Sequence, residues 1–189
     1  MGFLTDGQWL VLQTPLTAGM VVTLNSDKQD LSPCSKGAST ANPKGGPIQT
    51  NIQLLNDEDD VVLEISIRRE QNSVLFNAQA KQSALDGWGQ PESIPLSVIN
   101  PSPSTSGLTI LVCDRKDKYQ ILFNLTTVHY FAKRLPGPAT SVQYVNRSPG
   151  NPTLALSVTL KVDVRKIDSL PAHEKGPINS GRYAHVPQI

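Results

Sequence analysis

The sequence predicts an all-β protein, an antiparallel jelly-roll sandwich of two sheets, with a C-terminal tail. Three observations favour this fold class. Short runs of alternating and β-branched residues recur along the chain, and most connections between them contain Gly, Pro, Asn or Asp. No segment carries a sustained apolar stripe of helical period. The prediction is therefore about eleven strands at near-regular spacing, without a helix.

The chain divides into strands, one long loop and a tail. Residues 25–47 are rich in Ser, Pro, Gly, Lys and Asn and are predicted to form a loop, and the acidic run 56–60 is predicted to be a solvated hairpin turn. The alternation stops near Ile167, so we expect one domain over 1–167 and a polar, Pro/Gly-rich tail over 168–189. The predicted strands are 9–13, 20–24, 50–55, 61–69, 73–78, 94–99, 108–113, 119–124, 127–134, 141–145 and 153–166.

The composition argues against several classes of partner. The 189 residues carry a formal net charge of +1, and Lys and Arg form no stripe with interleaved aromatic residues, so no nucleic-acid partner is expected. No run approaches the ~18 apolar residues of a membrane span, so no membrane insertion is expected. The N-terminal stretch lacks the basic start and apolar run of a secretory signal peptide. We therefore expect a soluble protein made in the cytosol.

The two cysteines do not make a disulfide framework. Cys34 lies in the predicted long loop, whereas Cys113 ends a hydrophobic strand and is expected to be a small buried hydrophobic residue. A bridge between them stays open as the less favoured alternative.

Polar residues alternate along the strand 61–69 and suggest a ligand-binding face. Arginine supplies a planar fork of donors and glutamate supplies acceptors, while Asn77 on the next strand offers both, which is the mixture that a hydroxyl-rich ligand such as a sugar needs. Trp88, in the following loop, could pack on the C–H face of a sugar ring. Alternation should send two sets of side chains to opposite faces: Val61, Leu63, Ile65 and Ile67 to the core, and Val62, Glu64, Ser66 and Arg68 to the other side.

A structural alternative exists for each of these residues. One face of an antiparallel sheet is often solvated, and Arg and Glu on such a face can serve solubility alone. A tryptophan in a loop can likewise be a lid over the core. The pattern alone favours this solvated face over a ligand site.

The sequence argues against an enzyme and against a metal site or cofactor. Glu64 and Glu70 are the carboxylates that alternate on one strand face, but they would lie about 20 Å apart, too far for a glycosidase pair. The three histidines, His129, His173 and His185, have no metal-ligand spacing. No phosphate-binding loop or nucleophile elbow is present.

Three segments resemble the galectin carbohydrate-recognition domain: "VLEISIR", "VLFNAQ" and "WGQPES". The galectin motif consists of a His-x-Asn-x-Arg strand, a Val-x-x-Asn strand and a Trp-x-x-Glu-x-Arg segment. The later stretch "KYQILFNLTTVHYFAKRL" is similar to a galectin strand that ends in Asn, a short turn and a strand that ends in a basic residue. The resemblance covers residues 8–166 and is greatest to mushroom galectins.

The resemblance implies a carbohydrate-binding set of six residues. Arg68, Asn77 and Trp88 match the motif's Arg, Asn and Trp, and Glu92 matches its Glu if one residue is inserted before it. Two positions depart from the motif, because Glu64 stands in place of its His and Ser66 in place of its first Asn. The motif's final Arg corresponds to Ser93 or Ile94.

The resemblance implies a non-catalytic lectin that binds β-galactosides or related glycans with altered specificity. The alternative is a protein-interaction or oligomeric protein on a galectin scaffold that has lost sugar binding. A homo-oligomer, a dimer or larger, is expected in both cases. We expect it in the cytoplasm, or exported without a signal peptide to the extracellular space or cell wall.

Overall fold

Two six-stranded antiparallel sheets form the protein in the computed structural model, which describes residues 1–31, 49–82, 87–99, 107–146 and 155–169. The strand order is β2-β11-β4-β5-β6-β7 in one sheet, here called the site sheet, and β1-β12-β3-β8-β9-β10 in the other, the opposite sheet. The predicted fold class is confirmed. The strands are β1 (Gly2–Thr5), β2 (Trp9–Leu16), β3 (Met20–Ser26), β4 (Thr50–Leu55), β5 (Val61–Arg68), β6 (Ser73–Gln79), β7 (Glu92–Pro95), β8 (Leu108–Asp114), β9 (Lys118–Phe123), β10 (Thr126–Ala132), β11 (Ala139–Asn146) and β12 (Thr159–Lys166).

The core fills the space between the two sheets. In β6, Val74 and Phe76 are fully buried, whereas Leu75 and Asn77 between and after them are partly exposed, so the two-residue period decides which side chains face the other sheet. Both sheets contribute large buried side chains, and each such burial stabilises the fold by about 1.5–3 kcal/mol. The largest are Phe76 and Tyr144 from the site sheet and Tyr119, Phe123 and Phe131 from the opposite sheet.

The structure differs from the predicted strand at 94–99. β7 ends at Pro95, and Leu96–Ile99 forms a short helix, α1. Proline lacks the N–H that would continue a strand ladder, and helical spacing lets Leu96 and Ile99 both enter the core. The strand β1 was not predicted, and it pairs with β12 at the edge of the opposite sheet.

A β-bulge near the start of β5 changes the predicted facing of two valines. The pairing register shifts between Leu54 and Leu55 on one side of β5 and between Val61 and Glu64 on the other. An extra residue therefore interrupts the alternation, and Val62, not Val61, joins the core cluster. From Leu63 onward the predicted alternation holds.

Other predictions have different outcomes. The acidic run forms a turn as predicted, with Asp57, Glu58 and Asp59 exposed, while Asn56 Oδ1 accepts hydrogen bonds from the backbone N–H groups of Glu58 and Asp60. Cys113 is a buried free thiol, as expected, and burial raises its pKa to about 11.

Part of the predicted domain division lies outside the described residues. This applies to Cys34, to most of the predicted 25–47 loop, and to the tail beyond 169 with His173 and His185. Within the described residues, none of the helices combines the length and apolar character needed to cross a bilayer.

Candidate functional site

The outer face of the site sheet carries a cavity of about 290 Å³. It is built mainly from β4, β5 and β6, because Ile65, Ile67 and Phe76 point into the core and the residues that alternate with them point outward. Four of the six predicted site residues line it together. The lining residues are Gln49, Asn51, Glu64, Arg68, Leu75, Asn77, Trp88 and Pro91.

Glu64 places a nearly buried carboxylate in this cavity. Its side chain lies between two cross-strand neighbours, Gln53 of β4 and Asn77 of β6, which pair with it in register. Gln53 Nε2 donates a 2.5 Å hydrogen bond to Glu64 Oε2. Glu64 is only 7% exposed, so the sequence-based alternative of a solvated face is wrong at this position.

Ser66 lies beneath the cavity and does not line it. The residue is 0% exposed, which is also contrary to a solvated face. Its hydroxyl donates to Asn51 Oδ1 at 2.8 Å and accepts from Arg68 Nε at 3.2 Å. Ser66 therefore holds the guanidinium of Arg68, whose Nη1 also lies 3.5 Å from Gln71 Oε1.

The segment that carries Trp88 extends along β6. Trp88 forms an isolated bridge with Gln79, and Gly89 N donates to Ala78 O at 2.9 Å. Gly87 has a φ of 67°, in the left-handed region that favours glycine. Trp88 is 38% exposed and lines the cavity, and it is not part of the core cluster. It is therefore accessible to a ligand and is not a lid over the core.

Arg134, which follows β10, connects the opposite sheet to the site. Its Nη1 donates to Asn77 Oδ1 at 3.1 Å and to Gln90 O, and its Nη2 pairs with Glu92 Oε1 at 2.6 Å. The guanidinium also lies over the Phe131 ring, 4.6 Å from the centroid. Asn77 Nδ2 in turn donates to Gly89 O at 2.9 Å, so Arg134 and Asn77 together fix the Trp88 segment.

Glu92 is not among the residues that line the cavity. In the register of β6 and β7 it lies opposite Phe76, a core residue, whereas Ser93 lies opposite the outward Leu75. Glu92 Oε2 pairs with His129 Nε2 at 2.7 Å, and the His129 ring stacks on Phe76 with 4.4 Å between centroids. Burial lowers the pKa of His129, against the opposing influence of the Glu92 carboxylate.

Sequence reasoning did not identify the contributions of β4 and of Arg134. Asn51 and Gln53 are alternating polar residues within "TNIQLL", which is the same signal that singled out Glu64 and Arg68 on β5. Arg134 was noted only as part of a strand ending in basic residues. Its role depends on contacts across the two sheets, for which the local pattern carries no signal.

The cavity combines groups that suit a neutral, hydroxyl-rich ligand. Arg68 and the side-chain amides supply donors, Glu64 and the amide oxygens supply acceptors, and Trp88 supplies an apolar ring. Within the described part of the chain, no three His, Cys, Asp or Glu side chains are grouped so as to hold a metal ion.

Comparisons with known proteins found similar sequences and similar folds. The family model for galactoside-binding lectins matches residues 11–149. The chain is 35% identical over 107 residues to Galectin-1 of Coprinopsis cinerea, a match that covers 57% of the chain and 66% of that protein. It is 33% identical over 123 residues to Galectin-2 of the same fungus, covering 65% of the chain and 77% of that protein. A solved human galectin-16 variant has the same fold, with a TM-score of 0.59, 15% identity and coverage of 88% and 99%.

Proposed function

Because the chain belongs to the galectin family of galactoside-binding lectins, we propose that it is a non-catalytic lectin that binds β-galactosides or related glycans with altered specificity. The observation that carries this proposal is the convergence of Glu64, Arg68, Asn77 and Trp88 on one cavity. These residues come from two strands and a loop, and they include the groups that a sugar ring requires: donors, acceptors and an aromatic face.

The altered specificity rests on Glu64. The galectin motif has a histidine at this position, which can donate or accept a hydrogen bond, whereas an ionised carboxylate only accepts. A sugar that offers only an acceptor there would find no donor at Glu64, whose Oε2 already accepts from Gln53 Nε2, and leaving the sugar's acceptor unpaired costs about 1–3 kcal/mol. We therefore expect the site to prefer a saccharide with a hydroxyl or amide donor directed at Glu64.

A glycan array that contains both galactosides and chitin-type oligomers tests this function directly. Arg68→Ala and Trp88→Ala should each abolish the strongest signals. Arg115→Ala is the matched control, since Arg115 is hydrogen-bonded to Gln120 and does not line the cavity. A silent array for the unmodified protein, or binding that survives Arg68→Ala, would contradict the proposal.

A second candidate function is that of a protein-interaction or oligomeric protein on the same scaffold. The observation that favours it is a set of exposed apolar residues at the start of the chain, on the edge strands β1 and β2 and directly before β1: Met1 (76% exposed), Phe3 (63%), Trp9 (69%) and Val11 (73%). Such an apolar edge is a typical association surface.

The second candidate predicts a silent array together with a stable oligomer or a retrievable partner. Light scattering and pull-down, each repeated with Trp9→Ser, would measure this. A monomer with no partner would count against it, and a homo-oligomer that also binds glycans would support both candidates. The proposed place of action is the cytoplasm or, after export, the extracellular space or cell wall.

A further inference from the structure

A second cavity lies on the outer face of the opposite sheet. Its volume is about 310 Å³, similar to the 290 Å³ of the candidate site. Val22 and Leu24 of β3 point into the core, so the alternating Thr23 and Asn25 point away from it, and both line the cavity. The two cavities therefore lie on opposite outer faces of the sandwich, and they share no lining residue.

Thr23 contributes a buried hydroxyl without a hydrogen-bond partner. The residue is 5% exposed, and among the described residues no group bonds to its Oγ1. A buried polar group in this state costs free energy, whereas a valine of nearly the same shape would not. A ligand hydroxyl or carboxylate in the adjoining cavity would supply the missing partner.

Thr109 of β8 orients two side-chain amides around the cavity. Its Oγ1 donates to Asn25 Oδ1 at 2.8 Å, and its backbone N–H donates to Asn124 Oδ1 at 3.0 Å. Because both amide oxygens are engaged, Asn25 and Asn124 can offer a ligand their NH₂ groups, which are donors.

Arg165 of β12 adds a cation to the same wall. Asp163 Oδ2 lies 3.3 Å from Arg165 Nε, so this carboxylate holds the guanidinium by one edge, and the described residues leave the donors of its terminal nitrogens for a ligand. None of the described residues that line the cavity is a carboxylate. This second cavity is therefore rich in donors, in contrast to the first cavity with Glu64.

The remaining wall is apolar and comes from β8 and from the tight hairpin between β9 and β10. Leu111 and Leu125 line the cavity beside the polar groups. Asn124 and Leu125 form the two-residue turn between β9 and β10, with φ values of 45° and 69°. A bulky residue rarely adopts this conformation, and here the Leu125 side chain packs on the apolar cluster around Leu111 and Leu122.

We propose that this second cavity is a binding site for an acidic saccharide unit, a sugar ring that carries a carboxylate. The carboxylate accepts from Arg165 and the amides of Asn25 and Asn124, the ring hydroxyls bond to Thr23 and Thr109, and the C–H edge of the ring contacts the leucines. A volume of about 310 Å³ suits a single small ligand. The protein would then bind saccharides of different charge on its two faces.

The test is an NMR titration of the isotope-labelled protein with digalacturonate and with the matched neutral galactose disaccharide. Digalacturonate should shift the signals of Thr23, of the Asn25 and Asn124 side-chain amides, and of Arg165 Nε. Thr23→Val should weaken this binding about tenfold while raising the melting temperature, because it removes the unpartnered hydroxyl. Arg165→Gln should remove the preference for the acidic sugar, and Thr140→Val, on β11, should change nothing.

The outcomes separate this site from the proposed lectin site. Shifts of the Trp88 indole N–H and the Asn77 amide report the first cavity, and Arg68→Ala should remove those while leaving the response at Thr23 intact. The inference is overturned if digalacturonate leaves the second-cavity signals unmoved, if the neutral sugar binds there equally well, or if Thr23→Val raises stability without weakening the binding.

Discussion

Arg134 Nη1 lies 3.1 Å from Asn77 Oδ1, which ties a residue after the edge strand of the opposite sheet to the outer face of the site sheet. The same guanidinium holds Glu92 through Nη2. Residues from both sheets therefore position the candidate site, although the cavity itself lies on the outer face of the site sheet alone.

Arg134→Met should weaken glycan binding about tenfold, with a loss of stability of about 1 kcal/mol, because Asn77 and the Trp88 segment lose a shared anchor. Titration calorimetry and Trp fluorescence would measure the effect. Arg134→Lys should recover little of the glycan affinity that is lost in Arg134→Met, because one ammonium group cannot bond to all three acceptors that the guanidinium reaches. If Arg134→Met binds like the unmodified protein, Arg134 has no positioning role.

Gly87→Ala should disrupt the Trp88 segment. A Cβ at Gly87 would lie 2.0 Å from Ala80 O, in addition to the strain of a positive φ, which costs about 1–2 kcal/mol. Gly7→Ala is the matched control, because Gly7 also has a positive φ but nothing lies within 4 Å of its Cβ position. In urea unfolding Gly87→Ala should lose clearly more stability than Gly7→Ala, and only Gly87→Ala should lose glycan binding. Equal losses would argue against a clash.

Ser66→Ala should destabilise the protein by about 1–3 kcal/mol, because the buried Asn51 Oδ1 loses a donor and Arg68 Nε loses an acceptor. It should also weaken binding, since Arg68 is no longer held in one orientation. Ser141→Ala, at a half-buried position on β11, is the control, and it should reduce the free energy of unfolding by less than Ser66→Ala does. Denaturant unfolding measures the loss of stability, and titration calorimetry measures the loss of glycan affinity. A neutral Ser66→Ala would show that Arg68 is positioned by other groups.

From Leu63 onward the sequence was sufficient to predict which side chains of β5 face outward, because side-chain direction follows a two-residue period wherever no bulge interrupts the strand. It was insufficient to predict how deeply Glu64 and Ser66 are buried. Burial depends on the neighbouring strand β4, whose Asn51 and Gln53 cover and satisfy these side chains. A polar residue that alternates with core residues looks solvated until its cross-strand partners are known.

Local sequence patterns could not predict the contribution of Arg134 either, for a different reason. It is 57 residues from Asn77 in the chain, and the contact exists only because β10 and β7 lie at matching edges of the two sheets. The position of Glu92 also depends on contacts between distant segments. Its register with Phe76 directs its side chain to the inner side of β7, where it contacts His129 of β10.

Stability should fall as the solution is acidified below pH ~6.5, the ordinary pKa of an unfolded histidine. Burial lowers the pKa of His129 in the folded protein, so the unfolded chain binds the proton more readily. The stabilisation from neutral His129 is therefore complete above pH ~6.5 and is lost as the pH falls toward the lower folded pKa.

Urea unfolding between pH 8 and pH 5 would measure this dependence. His129→Gln keeps a donor for Glu92 but does not titrate, so its stability should fall less steeply over the same range. Parallel curves for the two proteins would contradict the role assigned to His129.

The bulge at the start of β5 sets where this domain can change length. Because Val62 is the surplus residue of the strand, a chain that lacks it would lose one core side chain but could keep the pairing from Leu63 to Arg68. The same loss anywhere between Glu64 and Arg68 would exchange the two faces of the strand and bury the guanidinium. Insertions and deletions among related sequences should therefore be found before Leu63 and not between Leu63 and Arg68, where a change in length would reverse the direction of the side chains that follow.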